Sequence, residues 1–158
     1  MIRLKPLSDL LWALDGVPQD PIHHPEGDVL FHSLQVFQHA QHKSFDPEMW
    51  AAALFHDIGK AIQQRDHAAI GADLLDGWVS SRVVWLVRHH MDLLLCPQKT
   101  RKKLRGTPQM HDLEQLRRWD QAGRDPYAQV IDPDHAIELI AEHLFSTPTP
   151  RKGRTDET

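Results

Sequence analysis

The sequence has little cysteine, little tyrosine and no excess of positive charge. Its 158 residues include 1 cysteine and 1 tyrosine, and the formal net charge is −4. The single Cys96 cannot form an intramolecular disulfide, which is typical of proteins from reducing compartments. A negative net charge argues against general affinity for nucleic-acid backbones, although it is compatible with a local basic patch.

Long apolar runs are also absent. No segment approaches the length of a membrane span, and the apolar N-terminal stretch is interrupted by Pro6, Asp9 and Asp15 too early for a signal peptide. We therefore expect a cytoplasmic protein without a membrane partner. The hydrophobic fraction of 41% and the charged fraction of 25% are those of a globular domain.

Histidine, in contrast, is abundant, with 12 residues. Neutral imidazole is a common metal ligand and a proton carrier near neutral pH. Not every histidine needs such a role, and five of them are predicted to be surface residues: His23, His24, His111, His135 and His143.

Apolar periodicity is helical along almost the whole chain, and no convincing alternating strand is found. Helices are predicted over about residues 7–14, 28–42, 46–61, 66–78, 80–95, 110–124 and 133–145. Asp28 and Asp46 are candidate N-caps, and Pro97 should end the fifth helix. The sequence therefore predicts an all-α fold, a single domain over 1–145 with seven or eight helices, and a disordered tail over 146–158.

Several polar side chains fall on the inward faces of these helices. The stretch ALFHDIGK places His56 and Asp57 side by side in an apolar run, where burial of uncompensated polar groups costs several kcal/mol. The other inward candidates lie on four further helices: His32, His67, His89 and Asp120. A lone inward histidine is often a core residue, but buried carboxylates need compensation, and a divalent metal would compensate the whole set.

The ligand types narrow the metal. Nitrogen and oxygen ligands without thiolate suit Mn, Fe, Co, Ni or Mg better than a structural zinc site. A metal in such a site lowers the pKa of bound water and thereby generates a nucleophile at neutral pH.

The order His32, His56-Asp57, Asp120 resembles the HD-domain superfamily of metal-dependent phosphohydrolases, which are all-α proteins with the signature H…HD…D. The likeness extends over about residues 23–125. The run HHPEGDVLFHSLQVFQHA is especially similar to the HD domain attached to bacterial CCA-adding tRNA nucleotidyltransferases. Without a nucleotidyltransferase region, the sequence is expected to be a free-standing HD domain.

The resemblance also implies roles for individual residues. The implied ligands of the first metal are His32, His56, Asp57 and Asp120, and the residues implied to hold a second metal or the substrate phosphate are His67 and either His89 or His90. The sequence does not separate His89 from His90, because a shift of one residue in the helix frame decides between them.

Three further residues surround this set. Lys60 lies four residues after His56, and Arg124 lies four residues after Asp120, so each could meet a phosphate oxygen; Lys60 could equally be a solvated cation at a helix end. Glu26, in the HPEGD motif, could orient a water or a neighbouring ligand, or could only shape the turn before the helix.

Two other features stay open. Trp119, next to Asp120, could line a substrate pocket, although the five tryptophans are first expected to pack in the core or in grooves. The basic stretch over 99–105 could be a solvated surface or could attract a nucleotide or an RNA end.

The leading functional hypothesis is a phosphodiesterase or phosphatase that acts on a nucleotide or a 2′,3′-cyclic phosphate with one or two divalent metal ions. The alternative is an HD-fold di-iron oxygenase, and a lesser one is a non-catalytic sensor module. Partners are expected to be a small phosphorylated substrate and, at the basic stretch, an RNA end. The oligomeric state is open, including a homo-oligomer.

Overall fold

A computed structural model describes residues 5–144. Within this range the chain forms nine α-helices and a short 3₁₀ helix, and it contains no β-strand apart from isolated bridges. The helices are α1 (Lys5–Trp12), α2 (Val29–Lys43), α3 (Pro47–Phe55), α4 (His67–Leu75), α5 (Ser81–His89), α6 (Asp92–Leu95), α7 (Pro97–Leu104), α8 (Pro108–Ala122) and α9 (Pro133–Leu144), and the 3₁₀ helix is Ile58–Ala61. The all-α prediction is confirmed, whereas the expected tail over 146–158 lies outside the described residues.

Helix starts follow the capping residues of the sequence. The Asp28 side chain accepts a hydrogen bond from the Phe31 backbone N–H at 2.8 Å, and Asp46 accepts one from the Glu48 N–H. These carboxylates satisfy backbone donors that have no partner inside the helix. The predicted caps of α2 and α3 are thus confirmed.

Helix α3 is the centre of the fold. All residues from Met49 to Phe55 are buried, and the helix packs against α2, α5, α8 and α9. Because α3 is buried as far as Phe55, the residues that follow its C-terminal end also lie in the interior. The His56-Asp57 pair directly after Phe55 is therefore placed inside the protein.

The structure differs from the sequence-based prediction around Pro97. The helix predicted over 80–95 ends at His89, a separate turn α6 follows, and Pro97 begins α7 instead of only ending the previous helix. Proline is tolerated at the first position of a helix because its missing N–H has no partner there. Helix α7 has one buried residue, Thr100, so it shows no apolar periodicity that could have predicted it.

No helix among residues 5–144 combines the length and the apolar character that crossing a bilayer requires.

Candidate metal centre

The first group of candidate ligands surrounds Asp120, in the last turns of α8. His32 Nε2 lies 2.8 Å from Asp120 Oδ1, and His56 Nε2 lies 3.6 Å from the same oxygen. Asp57 Oδ2 lies 3.2 Å from His56 Nε2 and 3.8 Å from His32 Nε2. Four side chains from three separate segments thus direct nitrogen and oxygen atoms toward one point.

The second group shares Asp57. Its Oδ1 lies 3.2 Å from His67 Nε2 and 3.4 Å from His90 Nε2, and the two imidazole nitrogens are 3.2 Å apart. The two oxygens of Asp57 therefore face two different groups of ligands. A carboxylate in this position could bridge two metal ions.

The four histidines share one hydrogen-bonding pattern. In each of them Nδ1 donates to a backbone carbonyl at 2.6–2.9 Å, and Nε2 faces the carboxylates; the acceptors are Gly123 for His32, Ala53 for His56, Gln64 for His67 and Val87 for His90. A hydrogen bond at Nδ1 fixes the ring orientation and leaves the Nε2 lone pair for a metal. The same arrangement in all four rings is typical of metal ligands.

Two glycines allow the close backbone contacts that hold these residues. A Cβ on Gly59 would lie 2.0 Å from the His67 carbonyl oxygen, so only glycine lets the 3₁₀ helix pack on the start of α4. A Cβ on Gly123 would lie 2.8 Å from a Val36 methyl group on α2. The approach at Gly123 brings its carbonyl to His32 Nδ1, and the one at Gly59 brings His67 to Asp57.

The pKa values in the first group show that this buried site favours positive charge. Burial alone would lower the pKa of His56, but the charge of Asp57 and contacts with Asp120 raise that pKa to about 10. Burial would raise the pKa of both carboxyls, yet the neighbouring histidines, together with Lys60 beside Asp57, hold both pKa values well below the usual range. Two ionised carboxylates in a buried site therefore stabilise any cation placed between them.

A buried nitrogen atom without a hydrogen bond is evidence that a metal fits this site. His56 Nε2 is inaccessible to solvent and, although it is near two carboxylates, makes no hydrogen bond among the described residues. A buried donor or acceptor without a partner is costly, and a divalent cation at this point would use its lone pair. Three clusters among the described residues could hold such ions: His32, His56 and Asp120, which Asp57 adjoins; Asp57, His67 and His90; and His24, Glu26 and His32. The proposed ions occupy the first two.

A cavity of about 490 Å³ opens onto the carboxylates of Asp57 and Asp120. Its cationic lining comes from Lys60, Arg117 and Arg124. Lys60 Nζ lies 3.2 Å from Asp57 Oδ2, and the Arg124 guanidinium reaches 4.0 Å from Asp120. The sequence had indicated Lys60 and Arg124 but not Arg117, which lies three residues before Asp120 and thus on the same helix face.

Glu26 lies under the first group. Its Oε1 is 3.0 Å from His32 Nδ1 and 2.7 Å from His24 Nδ1, while Oε2 is buried and has no hydrogen-bond partner in the described part of the chain. His24 was predicted to be a surface residue, but it lines the cavity, and only 14% of its side chain is exposed. Its position in the HPEGD motif, two residues from Glu26, was the signal that could have found it.

Two sequence-based candidates lie outside this site. His89 is half-exposed, bonds Asp92 at 2.7 Å and faces away from the ligand groups, because the buried stripe of α5 continues from Leu86 and Val87 to His90. Trp119 is only 3% exposed and belongs to the hydrophobic core, so it does not line the cavity. These two expectations are therefore corrected. His90, not His89, lies in the second group, and Trp119 packs in the core and does not line the cavity.

Comparison with known proteins identifies relatives of part of this chain. It is 40% identical over 80 residues to the multifunctional CCA protein of Methylococcus capsulatus, which is 46% of this chain and 19% of the relative. It is 41% identical over 70 residues to the protein of the same name from Hahella chejuensis, covering 40% and 17% of the two chains. The chain thus matches less than one fifth of the length of these relatives.

The match to a protein family is broader. The sequence fits the family model described as HD domain over residues 29–132. This range includes the ligand candidates from His32 to Asp120 and exceeds half of the chain. The protein therefore belongs to the HD domain family.

Proposed function

We propose that this HD domain is a metal-dependent phosphohydrolase that cleaves a phosphodiester or phosphomonoester of a nucleotide, with 2′,3′-cyclic phosphates among its substrates. The single observation that carries the proposal is the cationic cavity that opens onto the two carboxylates. Carboxylates and neutral imidazoles select a divalent cation, and the lysine and arginines around them select an anion. A site with both features fits a phosphate ester held against a metal.

The proposed metal ligands are His32, His56, Asp57 and Asp120 for one ion and Asp57, His67 and His90 for a second. Mn, Ni, Co, Mg or Fe suit this donor set, which contains no thiolate. When bound, a divalent ion supplies a Lewis acid at the phosphoryl group and lowers the pKa of water.

The protein's own cations then orient the substrate. Lys60 and Arg124 are the proposed contacts to non-bridging phosphate oxygens, with Arg117 as a third cation in the same cavity. Lys60 is held by Gln19, whose side-chain oxygen accepts its hydrogen bond at 2.9 Å. A fixed ammonium group stabilises the negative charge that develops on the phosphoryl oxygens without further reorganisation.

Glu26 and His24 have proposed positioning and proton-transfer roles. Burial lowers the pKa of His24 and so favours its neutral ring, and its Nδ1 is bonded to Glu26, so its Nε2 can accept a proton. Glu26 also contacts Nδ1 of His32 and thus orients that proposed ligand. These contacts favour His24 as the base that accepts the proton of the attacking water.

A second candidate is a di-iron oxygenase. It is supported by Asp57, whose two oxygens face two groups that together contain four histidines and two aspartates. The three cavity cations favour the phosphohydrolase, because an oxygenase does not require them unless its substrate is itself a phosphate or a similar anion.

The proposal is tested by metal analysis of the purified protein, followed by hydrolysis of bis-p-nitrophenyl phosphate and of 2′,3′-cyclic AMP with Mn, Ni, Co or Mg. Metal-dependent turnover of either ester is the expected result. Two tightly held irons, no hydrolysis and oxygen uptake after reduction would instead support the oxygenase. Absence of both metal and turnover would mean that the buried histidines serve only the core.

A further inference from the structure

A second cavity of about 500 Å³ lies beside the candidate metal centre, between α5, α6 and α7. Trp85 and His89 of α5 form one wall, and Lys99 and Lys103 of α7 form another. The volume is within the range of about 300–1,000 Å³ of small-ligand sites and suits a single nucleotide.

Lys99 and Lys103 differ from the other charged groups of this cavity, which have partners among the described residues. Arg88 is paired with Asp73 at 2.7 Å, and Asp92 is bonded to His89. Across residues 5–144, neither Lys99 nor Lys103 has a carboxylate within ion-pair distance. Because like charges four residues apart on a helix repel each other, this arrangement favours an anion that lies between them.

The opposite wall offers an aromatic surface. The rings of Trp85 and His89 stack with their centroids 4.6 Å apart and an interplanar angle of 35°. The Trp85 side chain is half-buried, so one wall holds the indole in place while part of it stays accessible. Aromatic faces next to free ammonium groups are the usual combination for binding single-stranded nucleic acids.

The position of the cavity links it to the proposed active site. Met91 and Leu94 line the cavity over the metal ligands, whereas Asp92 and Cys96 line the second cavity. The single helical turn α6 therefore separates the two. Leu94 is 52% exposed, so the ridge between the cavities also presents apolar surface.

We propose that the second cavity binds a nucleotide of a single-stranded nucleic acid whose end lies over the metal centre. The base stacks on Trp85, the phosphate lies between Lys99 and Lys103, and the strand crosses α6. The identity of the strand's end as substrate rests on the proposed phosphohydrolase function; the binding itself does not. The natural substrate is then an oligonucleotide and not a mononucleotide.

The test measures fluorescence anisotropy of a fluorescein-labelled six-nucleotide 2′-O-methyl oligoadenylate with the purified full chain. The Lys99→Ala/Lys103→Ala variant is expected to lose affinity by about 10-fold or more. The slope of log affinity against log salt should fall by about 0.7 for each lysine. The matched control is Lys102→Ala/Arg105→Ala, which removes the same charge from exposed positions outside the cavity. Trp85→Leu, checked for an intact thermal transition, should also lose about 10-fold.

The outcomes separate this inference from the proposed function. Equal losses in the control and in the lysine variant, or no oligonucleotide binding at all, overturn the inference. If adenosine monophosphate competes as well as the oligonucleotide, the cavity binds free nucleotides, and the proposal of a bound strand is overturned. Hydrolysis of 2′,3′-cyclic AMP should be unchanged in the lysine variant, since that ester fits the catalytic cavity alone. Cavity-dependent oligonucleotide binding without any hydrolysis supports the inference and contradicts the phosphohydrolase.

Discussion

The two cavities on either side of α6 have similar volumes, and cationic side chains line both of them, but the first also opens onto the buried carboxylates of Asp57 and Asp120. The first is built on the ionised carboxylates of Asp57 and Asp120 and on four imidazoles, and its buried end favours a cation. The second contains Lys99 and Lys103, which have no ion-pair partner in the described part of the chain, and it favours an anion. Of two neighbouring residues, His90 belongs to the buried group with Asp57 and His67, and His89 lines the second cavity.

The comparison shows how little separates a proposed metal ligand from a surface residue. His90 is buried because it continues the apolar stripe of α5, and its Nδ1 is fixed by the Val87 carbonyl at 2.6 Å. His89 lies about 100° around the helix, where it bonds Asp92 and stacks on Trp85. The rotation of one helix thus buries one histidine and leaves its neighbour partly exposed.

The largest effect is expected for Asp57→Asn. This change keeps the volume but removes the charge shared by both ligand groups, so metal retention and ester hydrolysis should fall to background. Asp92→Asn is the control. It removes a carboxylate of the second cavity, so this variant should keep its metal and its turnover. Metal analysis and the hydrolysis assay measure both; a fully active Asp57→Asn variant is incompatible with the proposed centre.

The next effect distinguishes His90→Ala from His89→Ala. Loss of His90 removes a proposed ligand of the second ion. Loss of a residue that only contacts a metal ligand already lowers activity by about 10–100-fold, so the activity of His90→Ala should fall by at least that much. His89→Ala should keep its metal content and its turnover of 2′,3′-cyclic AMP. Equal loss of bound metal in the two variants would show that the ligand assignment on α5 is wrong.

Lys60→Gln is expected to affect the substrate and not the metal. A charge-assisted hydrogen bond to phosphate contributes about 1.5–3 kcal/mol, which corresponds to a loss of roughly 10–100-fold in kcat/KM. Metal content should match that of the unmodified protein, with Lys102→Gln as an exposed control. Loss of metal from the Lys60 variant would mean that its contact with Asp57 matters more than its contact with phosphate.

The smallest effect is a pH dependence of metal affinity. Without metal, His56 has a pKa of about 10 and is protonated at neutral pH. Metal requires the free Nε2 lone pair, so binding releases this proton, and the observed affinity should rise by about tenfold per pH unit below that pKa. Calorimetry in buffers of different ionisation enthalpy measures the released proton; metal uptake without proton release would exclude His56 as a ligand.

Much of the fold could be predicted from local sequence signals. Asp28 and Asp46 mark helix starts, apolar periodicity indicates α2 and α9, and an apolar run after Asp46 and Pro47 indicates α3. Helix α7 could not be predicted in this way, because a helix that buries only Thr100 has no apolar stripe. For the same reason, the sequence could not predict that the lysines of α7 line a cavity.

The proposed ligand residues were selected from the sequence, but their arrangement was not. The signature of His32, His56-Asp57 and Asp120, and its resemblance to HD domains, identified the residues that the fold brings together. The sequence could not show that the oxygens of Asp57 face two groups, since this depends on contacts between α2, α4, α5 and α8. It also assigned His24 to the surface, because burial in a loop has no periodic signal.

By itself, the sequence determined the helical class, the family and the residue types available for a metal. These follow from local patterns that survive without knowledge of distant contacts. The burial of His90 but not of His89, the burial of Trp119 and the position of Lys99 and Lys103 in one cavity with Trp85 depend on tertiary contacts. Each of these outcomes depends on how one helix is rotated against its neighbours, and that rotation is set by packing of the whole chain.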